Sequence, residues 1–589
     1  MLRFVRTSSQ AFLGSVCLLG ITVSLSLAGC GGDPAPEDDA DSGGGGGQGG
    51  DSANPDGDGD GDGAVGYFFG PIDSEVGFTI GGESLSATIG EPQDAIDYSS
   101  ALFQTAAPLE PTTNYEVTIE SSPAGQVCRV FAGVEGTGEE LSVTGAIRVG
   151  CEWGFDFVGR SSDDQTLAYS NNSRQIVIGG SSRTIGDTEP LGDGRFVAFR
   201  SSESGLAPNS AADENIYFRD RVTGETYLVS HDPDGGPADG RSEQPAISAD
   251  GLHVIFQSEA TNLVEGDTNG ETDIFVWSAL DDTIVRVSVG PSGEEADASS
   301  REATISGDGS VVAFATQSTT VVPTTGDSTT LGKVVRIDLT SGERTVVTRL
   351  LSTGDPTSGS WPMLTEDGNR LVFYAYNNVV GDENPNLWDA FVYEHDSGDQ
   401  WPITRTESGG NRNQGNESTS GIIRPSISGD GKWVTYGTSS TNLVAGVDDG
   451  LWHVYLVEAD DCSAAGCNVV VLDQTDDVLA DEAATSERAT LSYDGRYVAL
   501  TSAASNLGVD NNDKDNAFVY DRQAGTLTPL TRISEGYGGT YTDAVFSPDG
   551  AYVAVGIYLE MDPRFDTDGL FVAYTGLSNA FSWLDGPIE

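Results

Sequence analysis

The sequence predicts an all-β chain: a seven-bladed β-propeller preceded by a small disulfide-linked β-sandwich domain. Three observations carry this. One ten-residue pattern recurs seven times at intervals of 55–64 residues, a period that signals stacked supersecondary units. Each copy reads as a turn followed by a strand. No helical periodicity intervenes between copies.

The copies are PLGDGRFVAF (190–199), ISADGLHVIF (247–256), ISGDGSVVAF (305–314), LTEDGNRLVF (364–373), ISGDGKWVTY (427–436), LSYDGRYVAL (491–500) and FSPDGAYVAV (546–555). Asp-Gly supplies a tight turn in which Gly tolerates positive φ, as a two-residue hairpin demands. After each turn Val197, Val254, Val312, Leu371, Val434, Val498 and Val553 share a face with Phe199, Phe256, Phe314, Phe373, Tyr436, Leu500 and Val555. Between them stand Ala198, Ile255, Ala313, Val372, Thr435, Ala499 and Ala554. A strand apolar on both faces, bulky on one and mostly small on the other, suits a blade packed between two others.

A second strand follows in every unit: NIYFRD (215–220), DIFVWS (273–278), KVVRID (333–338), DAFVYE (389–394), HVYLVE (453–458), NAFVYD (516–521) and GLFVAY (569–574). Turns at Thr223-Gly224, Ser341-Gly342, Ser397-Gly398 and Ala524-Gly525 lead into a third. In the fifth unit Cys462 and Cys467 bracket that turn, so a disulfide would staple a longer hairpin. The last unit has only Phe581-Ser582-Trp583-Leu584 for its outer strand, while Gln175-Ile176-Val177-Ile178-Gly179 precedes the first unit with no blade of its own. This N-terminal run is expected to complete the C-terminal blade and lock the ring, with six and eight blades as the alternative counts.

The repeat resembles the TolB-type propeller repeat, Ser-x-Asp-Gly with a Val-Ala-Phe strand, an Ile-Tyr/Phe-Val strand and a Thr-Gly turn, over residues 186–589. The resemblance implies fold and repeat, and an interaction surface of the kind such propellers mostly provide. It does not extend to the Tol system, whose TolB is soluble and carries a different leading domain.

Four segments precede or make up this architecture: 1–29, 30–66, 67–154 and 155–589. Arg3 and Arg6 stand before an apolar stretch from Ala11 to Leu27 that ends in Leu27-Ala28-Gly29-Cys30, the layout of an export signal rather than a spanning helix. That run resembles the bacterial lipoprotein signal, which implies that Cys30 becomes the acylated mature N-terminus and anchors the chain to a membrane it does not cross. Gly31, where an inner-membrane retention signal places Asp, points to the outer membrane or cell surface. Residues 31–66 carry no apolar periodicity and many acids, and read as an extended acidic tether. A calcium loop begun at Asp56 or Asp58 would close on Tyr67 or Phe69 rather than on Glu, so the run is spacer.

Residues 67–154 read as β, with alternation in Tyr115–Ile119, then Pro123–Val130, and Ile147–Cys151. They resemble a small Cys-paired sandwich module of secreted bacterial proteins. Of six cysteines, Cys17 leaves with the signal and Cys30 is lipidated; Cys128, Cys151, Cys462 and Cys467 remain. The expected pairs are Cys128–Cys151, joining facing sheets, and Cys462–Cys467. His231, His253, His395 and His453 are too scattered to join these thiols in a zinc cluster.

The formal charge is −62, becoming −64 when Arg3 and Arg6 leave, and lysine is confined to Lys333, Lys432 and Lys514. No basic stripe exists, so nucleic acid and anionic headgroups are disfavoured partners. Hydrolase, Walker, dinucleotide and zinc-protease patterns are absent, and Gly290-Pro-Ser-Gly293 lacks the spacing of a nucleophile elbow. The candidate metal positions are acidic segments before the second strand: Asp267, Asn269 and Asp273; Asp382, Asn384 and Asp389; Asp510, Asn512 and Asp515. Their oxygens alternate as calcium ligands do, against a reading as polar turns.

The function expected is that of a lipid-anchored, monomeric envelope protein whose propeller is a non-catalytic platform for a protein or glycan, needing no cofactor, with calcium as the candidate ion. The alternatives are a calcium-dependent hydrolase or lyase working at the central pore and a periplasmic assembly factor.

Overall fold

The computed structural model describes the strands between Val65 and Phe157 as backbone, and residues 158–159, 175–181, 183–185, 192–323, 332–350, 355–376, 388–406, 424–462, 466–475, 478–481, 489–507, 516–530, 538–560 and 569–574. Cys30 and the tether lie outside them.

Each repeat turn is built from its own side chains. A backbone bond runs from the Gly N–H back to the Ser carbonyl, as from Gly309 to Ser306 at 3.1 Å. With Ser306 N–H also bonded to Val311 O at 2.8 Å, the hairpin loop has four residues rather than the expected two: x and Asp of Ser-x-Asp-Gly are the central pair of its turn, and Gly follows with φ of 75° at Gly309 and 61° at Gly495. The Ser or Thr hydroxyl donates to the Asp carboxylate at 2.5–3.0 Å in five turns, from Ser248 to Ser492. It also accepts the N–H five residues on, as from His253, Val311 and Tyr497. A Cβ on Gly495 would stand 2.5 Å from the Trp433 ring of the neighbouring blade, so glycine is required there for space as well as for φ.

Six blades are each made of four consecutive antiparallel strands: Ile176–Gly179 to Glu225–Leu228, Ser242–Ile247 to Thr283–Arg286, Ser300–Ile305 to Arg344–Val346, Gly359–Leu364 to Gln400–Pro402, Ser426–Ile427 to Val469–Val471, and Thr490–Leu491 to Thr526–Pro529. We call them blades 1 to 6. The expectation of seven such blades is corrected. The seventh repeat lies in a composite sheet of Gly538–Phe546, Tyr552–Glu560 and Gly569–Tyr574, whose fourth strand is Phe155–Phe157. Phe571 pairs with Phe157 and Ala573 with Phe155.

The strand that closes this sheet is therefore not Gln175–Gly179. Ile176–Gly179 is the inner strand of blade 1, with Ile176 opposite Phe199. Every blade opens with an inner strand ahead of its Ser-x-Asp-Gly turn, and this run fills that place ahead of Asp193. Phe581–Leu584 lies outside the described residues.

The bulky and small faces mesh from blade to blade. Phe199 packs with Ala554 of the composite sheet, Phe256 with Ala198, and Phe373 with Ala313. Within a blade the same residues stack on the next strand: Phe199 on Tyr217, Phe256 on Phe275, Phe373 on Phe391 and Tyr436 on Tyr455, with ring centres 5.6–5.8 Å apart. Blade 1 and the composite sheet share one apolar cluster through Val197, Tyr217, Tyr552 and Leu570, so first and last units are neighbours.

Before blade 1 the chain forms two four-stranded sheets, ordered Ser99–Gln104, Val65–Gly70, Ile147–Trp153, Gln126–Ala132 and Glu83–Thr88, Glu75–Ile80, Asn114–Ser121, Glu135–Thr137. Cys128 and Cys151 are register partners on adjacent strands of one sheet, not on facing sheets as expected; their side chains lie outside the described residues. Cys462 and Cys467 are joined by a disulfide with Cα atoms 4.3 Å apart, set in the core between blades 4 and 5. Chain-entropy reasoning gives so short a loop about 2 kcal/mol. The Cys462→Ser/Cys467→Ser double variant is expected to lower the urea unfolding free energy by that amount; an unchanged midpoint would refute the staple.

Candidate functional site

The innermost strands of the six blades and the composite sheet surround a channel of about 220 Å³. Its two ends are built differently.

At one end stand the x residues of the turns: Ala249, Gly307, Glu366, Gly429, Tyr493 and Pro548. Backbone bonds tie these turns into a belt: Asp250 N to Gly307 O 2.9 Å, Gly307 N to Glu366 O 2.8 Å, Glu366 N to Gly429 O 3.1 Å, Asp430 N to Tyr493 O 3.0 Å and Tyr493 N to Pro548 O 3.2 Å. The belt closes by an exchange. Asp193 accepts the Ser547 hydroxyl at 2.7 Å and the N–H groups of Asp549 and Ala551 at 3.0 and 3.1 Å, doing for the last turn what each other turn's own Asp does. Burial pushes the Asp193 carboxyl up to about 6, against the Asp549 N–H that holds it down and with the Asp549 charge that raises it.

Asp549 itself turns to other partners. It accepts the Ser181 hydroxyl at 3.0 Å and Nε of Arg183. Arg183 Nη2 reaches Glu366 Oε1 at 2.9 Å, and its guanidinium carbon lies 3.8 Å from the centre of the Tyr493 ring. One arginine thus joins blade 4, blade 6 and the composite sheet across the channel end. Burial opposes its charge, but Glu366 and Asp549 together hold it protonated. Room for this comes from the small x residues: a Cβ on Gly429 would stand 2.5 Å from Tyr493, and one on Gly307 3.1 Å from Glu366.

The other end carries a collar of Gln175, Gln244, Glu302, Trp361 and Arg424. Gln244, Glu302 and Trp361 occupy one position in blades 2, 3 and 4, where the inner strand breaks register, and all three are left-handed, with φ of 53°, 59° and 50°. Side chains of non-Gly residues are costly there, about 1–3 kcal/mol each, and such strain gathers at functional sites. A neighbour holds each N–H. Gln175 Oε1 accepts that of Gln244, Gln257 Oε1 that of Glu302 at 3.0 Å, and Glu302 Oε2 both Trp361 N–H at 2.8 Å and the Ser360 hydroxyl at 2.7 Å. The Arg424 guanidinium lies 5.6 Å from the Trp361 ring centre. Carboxylate, indole and guanidinium therefore follow one another round the mouth.

Sequence reading missed both ends. The signal for one was the x position, where Glu366 is the sole acid among the six; the other fell between the strands the repeat made visible.

Of the residues proposed for calcium, the described ones, Asp267, Asn269, Asp273 and Asp389, are not among those lining the channel. Asp267 and Asp273 both face Arg286, whose Nη1 is 2.9 and 3.3 Å from them and 3.3 Å from Glu295. Asn269 turns its amide N–H to Asp273 at 3.1 Å. Asp273 and Asp389 also belong to a polar pair recurring in the blades, accepting the hydroxyls of Ser288 and Thr404 (the latter at 2.7 Å) as Asn215 accepts that of Ser230 and Asp473 pairs with His453. Asp382, Asn384, Asp510, Asn512 and Asp515 lie outside the described residues. No group of three or more His, Cys, Asp or Glu among the described residues is placed to hold a metal ion.

Strand order and cyclic packing define an all-β propeller with a central channel. No protein-family model and no curated protein sequence matches the chain. Among solved structures it is similar to the β-propeller domain of the trilobed protease from Pyrococcus furiosus, at 12% identity and a TM-score of 0.39 over 69% of this chain and 97% of that one. It is similar also to an oligogalacturonate lyase from Vibrio parahaemolyticus, at 11% identity and 0.41 over 72% and 97%. A third similar structure is a putative TolB from Agrobacterium tumefaciens, at 17% and 0.31 over 60% and 95%.

Proposed function

We propose that this protein is a lipid-anchored component of the bacterial envelope, facing the outer membrane or cell surface through Cys30, whose propeller is a non-catalytic platform for a protein or glycan partner. In this reading the partner engages the collar. The supporting observation is the difference between the two channel ends. The turn end is crossed by Arg183, whereas the collar holds three left-handed residues at the mouth.

The test is capture of partners from detergent-solubilised envelopes by the full chain, run with and without a calcium chelator. Trp361→Ala and Glu302→Gln are expected to lower recovery of the specific partner at least about tenfold, the cost of one buried anchor. Recovery equal to wild type in both variants would overturn the collar as the binding face. Glu302 and Arg424, on either side of Trp361 at the mouth, favour the second reading, a propeller hydrolase or lyase. Turnover of envelope polysaccharides that is lost in Glu302→Gln would establish that reading instead.

A further inference from the structure

The two ends of the channel are held by different contacts, side-chain ion pairs at one and side chain to backbone bonds at the other. We propose that Arg183 is a releasable strut, closing the turn end of the channel and letting go when Glu366 loses its charge while the ring of blades stays intact. This concerns regulation of the same channel and rests on the reading of it as a binding site.

The geometry isolates the strut from the belt. The belt runs through backbone atoms of Gly307, Glu366, Gly429 and Tyr493, and none of those bonds uses the Glu366 carboxylate. The strut rests on side chains alone: Glu366 from blade 4, Asp549 from the composite sheet and the Tyr493 ring from blade 6. Arg183, Asp549 and Asp367 are the charges that bear on Glu366. Of these only Arg183 favours its ionised form, and taking up a proton leaves the guanidinium to Asp549 and the ring.

Burial raises the Glu366 carboxyl, Arg183 opposes, and Asp549 and Asp367 add to the rise; Asp193, which seats the same corner, is at about 6. A carboxyl raised in the folded state takes up its proton with a gain in folded stability, so discharging this pair as pH falls does not by itself weaken the fold. The loop latches within blades 2, 3 and 6 behave in the opposite way. Asp239, Asp297 and Asp481 cap loops through Thr261, Ser318 and Thr319, and Ser505. Burial opposes their charge at Asp239 and Asp297, but hydrogen bonds from those residues hold all three carboxyls below the usual range. Their contribution is present above about pH 4, the unperturbed carboxylate value, and is lost only below it. With Glu366 raised above the usual carboxylate range and these three carboxyls held below it, a falling pH discharges the strut first.

Glu366→Gln reproduces the discharged state at neutral pH. In the full chain at pH 7.5, trypsin cleavage after Arg183, followed by mass spectrometry, is expected to run at least about tenfold faster than in wild type, the worth of one charge-assisted hydrogen bond. The thermal midpoint should be unchanged. Amide exchange over residues 178–185 in wild type, corrected for intrinsic rates, should lose about tenfold protection from pH 7 to pH 5, whereas Glu366→Gln should show no such step. Equal cleavage in both proteins, or faster cleavage only alongside a lowered midpoint, would overturn the strut as a switch. Because no partner is present in either measurement, a failure here is separate from a failure of the collar to bind.

Discussion

Phe373→Ala should lower the unfolding free energy by about 3–5 kcal/mol, the range for truncating a buried aromatic. The ring is fully buried and lies 5.7 Å from the Phe391 ring in its own blade, while its outer side meets Ala313 and Val311 of blade 3. Truncation opens a hole between two sheets that cannot close by simple approach. A 2.8 Å bond from Gly307 N–H to Glu366 O ties them together at the turn end, and Glu302 holds Ser360 and Trp361 at the collar. Equilibrium urea unfolding would show a shifted midpoint at constant slope. A loss under about 1 kcal/mol would mean that the sheets relax together and that meshing of large and small residues is not what spaces the blades.

Arg286→Ala is the second large effect, about 3–5 kcal/mol at neutral pH. Arg286 and Asp267 are almost wholly buried and Asp273 entirely so, so removing the cation strands buried carboxylates without their counter-charge. The sign with pH follows from Asp267, which burial raises to about 6 against Arg286 and with the help of Asp273 and Glu295. A carboxyl raised in the folded state costs stability above its unfolded value, and that cost is relieved as pH falls through the folded one. Without Arg286 the rise is larger, so the deficit of the variant should shrink between pH 7.5 and pH 5. Urea midpoints at the two values decide it: an equal deficit at both would mean that Arg286 contributes packing rather than charge.

The strands that the sequence made plain are those whose two faces are both apolar. Residues 273–278 and 516–521 were read with the bounds they have, because Val, Ile and Phe on alternate positions leave no other buried structure for so short a run. The inner strands were not visible in the same way. Ser242–Ile247 and Ser300–Ile305 are half-exposed along one edge and bulged, so they carry neither clean alternation nor a continuous apolar run. Taking each unit to start at its Asp-Gly turn therefore hid the inner strand and assigned Ile176–Gly179 to the wrong sheet. The collar was lost with them, since its residues are exceptions to strand geometry rather than examples of it. The same cause lies behind the calcium candidates: alternating acids look alike in a sequence whether a metal or Arg286 sits between them, and Arg286 is on a strand that the acidic segment does not adjoin.

Asp193 reaches a partner 354 residues further along the chain. A nascent polypeptide emerging from a ribosome therefore cannot finish its first turn corner until its seventh repeat has been made, and for most of synthesis that carboxylate has no seat. Pairings so distant in sequence are slow to form, which leaves an open arc of blades as the species that chaperones and proteases meet first. Removing the codons for residues 546–574 would leave every complete blade in place and yet deny the earliest one its lock.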